Sequence, residues 1–292
     1  MKRLAVWVLA VAMPACCVAA RTTTVNPSTH LTMVEQLEAE TPALVWWSDS
    51  KGNHSYDPDN IPKGYELRPY CAAVWVSPDT MLTAEHCVDD IGKPVTKAET
   101  DTDSDDDEDD DATQVLQQLL QQLQALKDEQ QNWTPVGQQV LYSNRADIDP
   151  NHKAYHSGKV TAVDMVDDLA LVKADAPGQH FIAPLRRGVI HDGEELHIVG
   201  HPAGSWWTYI HGYVAGEREN YWDGKHYRPI TQVSGPVFFG NSGGGAFDVD
   251  GNLVGICDAI SRVPETAFFV PRDVLRGFLE HERVIPALKK DQ

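Results

Sequence analysis

From Ala43 to Val270 the chain is a succession of short apolar runs cut by glycine, proline, asparagine and aspartate. The runs Ala43–Trp47, Cys71–Val76, Met81–Ala84, Gln138–Tyr142, Gly158–Asp164 and Leu169–Lys173 read as strands. So do Glu195–Val199, Tyr209–Ala215, Pro229–Val233, Gly245–Phe247, Leu253–Cys257 and Ala267–Val270. Many short strands separated by turn residues restrict the fold to an all-β barrel or sandwich. With 292 residues, the chain can bury one large β core or two smaller ones. Two helices frame the series. Met33–Glu40 is a short helix in a polar tail over 21–42, and Val274, Leu275, Phe278 and Leu279 form one apolar face of a closing helix over 272–282.

The first twenty residues have a different logic. Lys2 and Arg3, the apolar run Leu4–Met13 and the small residues Val18-Ala19-Ala20 make an export signal over 1–20. Cleavage after Ala20 would remove Cys16 and Cys17; Met13-Pro14-Ala15-Cys16 offers a second reading, a lipid anchor at Cys16. Both take the protein out of the cytoplasm, to a secreted, periplasmic or membrane-anchored location. No stretch is long and apolar enough for a transmembrane span.

The formal charge of −19 excludes a nucleic-acid partner, which calls for a basic face. The charge is concentrated: residues 97–131 hold 12 Asp or Glu against two Lys, about half the excess. The segment reads as an insertion, with a nearly pure acidic run from Asp101 to Asp111. Leu116, Leu119, Leu123 and Leu126 then form a helical stripe too short for an independent coiled coil. The acidic run lacks the glycine and closing glutamate of an EF-hand loop, so it reads as a solvated linker.

Cys71, Cys87 and Cys257 remain after the leader, a count that suits one pair and one free thiol in an oxidising compartment. Cys71 and Cys87 flank two apolar runs joined at Ser77-Pro78-Asp79, and a hairpin would bring them together. Zinc fits poorly, because His86 has neither a C-x-x-C nor a second histidine at ligand spacing. No metal or cofactor is expected.

Gly240-Asn241-Ser242-Gly243-Gly244-Gly245 is the stretch with chemical promise. Glycines allow positive φ and close approach to the main chain, and a serine there can meet a substrate carbonyl. Alone, the hexapeptide is equally a hairpin turn, because serine needs a base to become a nucleophile.

Leu82-Thr-Ala-Glu-His86-Cys, Asp168-Leu-Ala-Leu-Val and Gly240-Asn-Ser242-Gly-Gly occur in the order His, Asp, Ser. Together they resemble the chymotrypsin-type (trypsin-like) serine proteases. Gly200-His-Pro-Ala-Gly204, Gly240-Asn241 and the ending Phe269-Val-Pro271 plus helix are similar to the bacterial branch, which includes the periplasmic heat-shock proteases and glutamyl endopeptidases. The resemblance implies two antiparallel six-stranded β-barrels, about 43–175 and 185–271, within a protease domain over 43–285. It implies Ser242 as nucleophile, His86 as general base and Asp168 as the carboxylate that orients it. It also implies an oxyanion hole from the N–H groups of Gly240 and Ser242, a Cys71–Cys87 disulfide around the histidine loop, and a polypeptide substrate.

Departures from that pattern carry their own expectations. Asn241 stands where animal digestive enzymes carry the aspartate that pairs with a newly cut N-terminus, so that activation route is not expected. Glu85 replaces a small residue beside His86. Asp258 replaces a serine or threonine that donates to the orienting carboxylate; two adjacent carboxylates cannot both ionise comfortably, so Asp258 is expected to be protonated and to donate to Asp168. By position, Pro236, Val237 and Phe238 form one wall of the substrate pocket, and Asp258, Ala259, Ile260, Ala267 and Phe268 the others. Such walls suit a small or medium apolar residue before the cut. His201, His211, His152 and His156 read as solvent-facing or local hydrogen-bond partners. A rival reading remains, a catalytically weak homologue that binds a partner through the same cleft.

Overall fold

The structure, a computed structural model, describes residues 31–89, 91, 134–149, 152–176, 178, 180–224 and 226–286. The export signal over 1–20, the start of the tail and the insertion over 97–131 lie outside the described residues.

The first half begins with helix α1 (Met33–Glu40), whose Thr32 accepts from the Glu35 N–H while Glu35 reaches back, a capping box. Strands β1 (Ala43–Ser48), β2 (His54–Ser55), β3 (Glu66–Ala72), β4 (Val74–Ser77) and β5 (Thr80–Thr83) follow. Beyond the insertion come β6 (Gln139–Ser143), β7 (Ile148–Asp149), β8 (His152–Lys153), β9 (His156–Asp164) and β10 (Leu169–Ala174). All of these except β7 and β8, which form a hairpin of their own, join one eight-stranded sheet in the order β2-β1-β6-β9-β10-β5-β4, with β3 also on β1.

The second half comprises β11 (Glu195–Gly200), β12 (Thr208–Trp222), β13 (Tyr227–Ser234), β14 (Gly245–Phe247), β15 (Leu253–Ile260) and β16 (Thr266–Pro271). These close into a six-stranded barrel in the order β11-β12-β13-β16-β15-β14, and helix α2 (Arg272–His281) is the last described element.

The all-β class is therefore as expected, but the two halves differ. The second is the anticipated six-stranded barrel. Among the described residues, the first is an eight-stranded sheet whose ends β2 and β4 are not paired. Two local readings also change. The loop expected from Ser48 to Pro69 contains the start of β3, whose Leu67, Pro69 and Cys71 point inward between outward Glu66 and Arg68. Pro69 is tolerated there because it adjoins a bulge in its own strand: Leu44 and Val45 of β1 pair with Cys71 and Pro69, leaving Tyr70 as the extra residue. The run Cys71–Val76 is two strands rather than one, divided at Ala73, whose N–H turns to Pro42 O at 2.9 Å.

Three apolar clusters hold the molecule together. One lies within the first sheet around Trp75, Met81 and Tyr142, and one within the barrel around Ile198, Val233 and Phe269. The third spans both halves, joining Val45, Leu82 and Leu169 to Val199, Phe247 and Leu275. Its burial is non-directional; direction comes from hydrogen bonds such as Trp207 Nε1 donating to Thr41 O at 2.7 Å. The loops carrying His86, Asp168 and Ser242 lie along this seam.

Candidate active site

His86 sits in a short 3₁₀ turn, Glu85–Cys87, immediately after β5. The turn is anchored at one end by the Cys71–Cys87 disulfide, with Cα atoms 6.1 Å apart. Thr83 secures the other end by donating its hydroxyl to Ala72 O at 2.7 Å. Asp168 closes the β9–β10 hairpin in the left-handed region, at φ 54°. Aspartate tolerates that conformation better than most residues, and Asp164 supports the turn by accepting the N–H groups of Val166 and Asp167.

The two side chains meet twice. Asp168 Oδ2 lies 2.8 Å from His86 Nδ1, and Oδ1 accepts the His86 backbone N–H at 2.9 Å. A carboxylate bonded in this way fixes the ring and places its proton on Nδ1, leaving Nε2 as the lone-pair nitrogen. The His86 side chain remains 46% exposed while that of Asp168 is 13% exposed, so the imidazole is open to solvent and its partner is not. Burial pushes the imidazole down, but Asp168, with lesser help from Asp258 and Glu85, outweighs it and raises the pKa. Burial pushes Asp168 up, and its bonds to His86 outweigh that and hold it below the usual carboxylate range.

Ser242 is half-buried in a loop locked by its neighbours. Its carbonyl accepts the Ala72 N–H at 2.8 Å, one residue from the disulfide that holds His86. Gly243 donates to Cys257 O at 2.8 Å, and Asn241 Nδ2 donates to Phe238 O at 2.9 Å. Gly240 has φ 97°, and a Cβ there would meet His201 O at 2.3 Å. Among the described residues, the N–H groups of Gly240 and Ser242 donate to no protein acceptor, while the intervening Asn241 N–H goes to Phe238 O at 3.1 Å. Two free N–H donors on either side of a satisfied one are available to an incoming acceptor.

Behind Asp168 stands Asp258, at a bulge in β15 where the register against β16 shifts between Cys257 and Ala259. The bulge buries both consecutive side chains, Cys257 in the barrel core and Asp258 toward Asp168. Burial first, and then the Asp168 carboxylate, push Asp258 up to about 7 against the pull of Arg228. One oxygen of each acid and a ring nitrogen of His86 all lie within 4.8 Å of one another, and the raised value favours the proton on the Asp258 side.

Arg228 is the site residue that the sequence reading missed. Its guanidinium, 7% exposed, donates Nη2 to Asp258 Oδ2 at 2.5 Å and Nε to Asp223 Oδ2 at 2.7 Å. Arg228 and Ile230 share the inward face of β13, both buried. An inward arginine requires acidic partners.

The proposed pocket residues are brought side by side by pairing of Ala259 with Phe268 and Ile260 with Ala267. Ala267 is fully buried, Val237 packs on the barrel core, and Phe268 lies against Tyr221 at 4.8 Å between ring centres. Pro236 and Ala259 are exposed, and Phe238 is 51% exposed. Of the other histidines, His201 is buried and accepts the Trp207 N–H, His211 pairs with Glu195, and His156 with Asp147. The His152 side chain lies outside the described residues. Cys71, His86 and Cys87 cluster closely, but both sulfurs are consumed by the disulfide; the atoms of His86, Asp168 and Asp258 pair with one another.

A family model, described as a trypsin-like peptidase domain, matches residues 71–256, more than half the chain. The chain belongs to the trypsin-like peptidase family. Protease Do-like 1, chloroplastic, of Arabidopsis thaliana is 30% identical over 132 residues, covering 42% of this chain and 30% of that protein. Serine protease HTRA1A of Danio rerio is 27% identical over 147 residues, covering 48% of this chain and 30% of that protein. The chain thus spans about 30% of the length of the curated relatives it matches. Among solved structures, the HtrA-type protease AlgW with decapeptide superposes with a TM-score of 0.57 at 20% identity, covering 86% of this chain and 66% of that one. The active form of the Rv3671c protease from M. tuberculosis gives 0.54 at 14% identity, over 89% and 86%. At such identities these structures support the fold of this trypsin-like chain and nothing finer.

Proposed function

We propose that this trypsin-like chain is an exported serine endopeptidase in which Ser242, His86 and Asp168 form the triad. The observation that carries this reading is the doubly bonded His86–Asp168 pair, tied through the Cys71–Cys87 disulfide and the Ala72 N–H to the Ser242 loop. His86 Nε2 takes the Ser242 proton as the hydroxyl attacks the scissile carbonyl. Asp168 keeps the other ring nitrogen protonated and stabilises the imidazolium as it forms. The N–H groups of Gly240 and Ser242 receive the oxyanion, each contributing roughly 3 kcal/mol of transition-state stabilisation. His86 then delivers its proton to the leaving amine, and water repeats the cycle on the acyl-enzyme.

The apolar surroundings of Ala267, Val237 and Ile260 support a preference for a small or medium apolar residue before the cut. Asp258, the charged residue of that wall, is paired with Arg228. The leader over 1–20 supports export, as does a 34% identical relative of Brucella suis named as a probable periplasmic serine endoprotease, and the domain runs over 43–285 with its insertion at 97–131.

The test is a fluorophosphonate probe on the purified, leader-free protein beside Ser242→Ala and His86→Ala variants. Labelling lost in both variants is the expected result. A folded wild type that takes no label would leave the cleft a binding surface.

A further inference from the structure

Arg228 plays no part in the triad as drawn above, yet it is the most costly side chain in the site. A guanidinium held out of water needs well-placed acids, and replacing such an assembly with apolar residues is often neutral or stabilising. Here the assembly is continuous. Asp223 and Asp258 hold Arg228, Asp258 lies against Asp168 with their oxygens within 4.8 Å, and Asp168 bonds to His86. We propose that Arg228 is a positioning residue for the triad, acting through Asp258 to set the pH at which His86 becomes a free base. This inference rests on the triad reading above.

Two effects of opposite sign separate this role from a general field. With Oδ2 held by the guanidinium, the acid proton of Asp258 belongs on its other oxygen, and the positive charge favours losing it. Each step toward an Asp258 carboxylate adds negative charge behind Asp168 and favours the His86 imidazolium. Acting through Asp258, Arg228 therefore raises the His86 titration point. Acting directly as a nearby cation, it would lower it.

The other charged groups around the cluster are few. Asp164 and Asp167 belong to the β9–β10 turn, Glu85 adjoins His86, and Asp223 lies beyond Arg228 in the β12–β13 turn. The Cys257 thiol, on the strand of Asp258, is kept protonated by burial.

The experiment is a nuclear magnetic resonance titration of the His86 ring in a Ser242→Ala background, the signal assigned by its loss in His86→Ala. Four proteins are compared: the background alone, with Arg228→Gln, with Asp258→Asn, and with both. Arg228→Gln is expected to lower the His86 midpoint by about half a unit or more, and Asp258→Asn to lower it too. Once Asp258 is Asn, adding Arg228→Gln should lower it no further. An unchanged or raised midpoint in Arg228→Gln, or the same fall in the Asp258→Asn background, overturns the proposal. If Arg228→Gln does not fold, Arg228→Lys keeps the charge that acts on Asp258, so its midpoint is expected near the background, and a fall as large as that of Asp258→Asn overturns the proposal. The titration needs no turnover, so loss of the protease reading, seen as absent Ser242-dependent labelling, is read separately.

Discussion

At Gly243 one added methyl group would meet Thr83 Oγ1 at 2.1 Å and Ala72 O at 2.2 Å, on a backbone at φ 78°. Neither neighbour can retreat, because Thr83 is itself bonded to that same carbonyl. Gly243→Ala is expected to cost more than about 2 kcal/mol and to abolish probe labelling, measured by thermal melting and labelling together. Gly188→Ala, with nothing within 4 Å, is the matched control and should leave both unchanged. The same kind of constraint explains why the proposed catalytic residues stand out in the sequence. Serine between glycines, histidine after an apolar strand and aspartate before one are residue types that the geometry cannot exchange. Arg228 was not legible as a site residue, because its partner Asp258 lies 30 positions away and only the closed barrel brings them together. Titration follows from the same contacts. His86 must be neutral to act, and its pKa is raised, so the acidic limb of kcat/KM is expected above the ordinary histidine value of about 6.5. A limb at or below that value, in a pH profile with a neutral peptide, would show that Asp168 does not hold the ring as drawn.

Strands were read well where alternation was clean and poorly where function or proline interrupted it. β12 was expected over Tyr209–Ala215 but continues to Trp222, because its far end pairs with β13 and is exposed, giving no apolar signal. Helix α1 was read at its observed bounds, yet its last residue hides a liability. Glu40 is fully buried, with Oε1 bonded to Gln36 Nε2, and burial raises its carboxyl to about 7. A raised folded-state pKa means that the folded protein holds this proton more tightly than the unfolded chain. The associated stability is complete below about pH 4.5 and is lost as the pH rises through about 7. Glu40→Gln keeps the shape without the charge, so its gain over wild type should grow from pH 5 to pH 8, reaching ~1–3 kcal/mol by denaturant unfolding. A constant difference across that range would refute the assignment. Removing the disulfide with Cys71→Ala and Cys87→Ala should cost about 3 kcal/mol, from the loop of 16 positions it closes.

At the scale of the whole molecule, the site exists only because two unlike halves are pressed together along one apolar seam. The sequence announced many strands and a two-part division; it did not announce that the first part has eight strands. Which edges pair depends on contacts between distant runs, such as β1 with β6, that local patterning does not encode. Charge is different, because it sums without regard to pairing. The chain carries −19, and about half of that excess is in residues 97–131, inserted in the half that supplies His86 and Asp168. A field of that sign attracts cationic chains and repels anionic ones, and salt screens it over about 8–10 Å at physiological strength. For peptides identical around the cut but differing in remote charge, kcat/KM should fall several-fold with added salt for a cationic peptide and rise for an anionic one. A neutral peptide should respond little. Deleting residues 101–111, the most acidic run, should roughly halve both slopes without moving the neutral baseline. If all three peptides respond alike, the field does not reach the cleft, and the acidic segment has no part in gathering substrate.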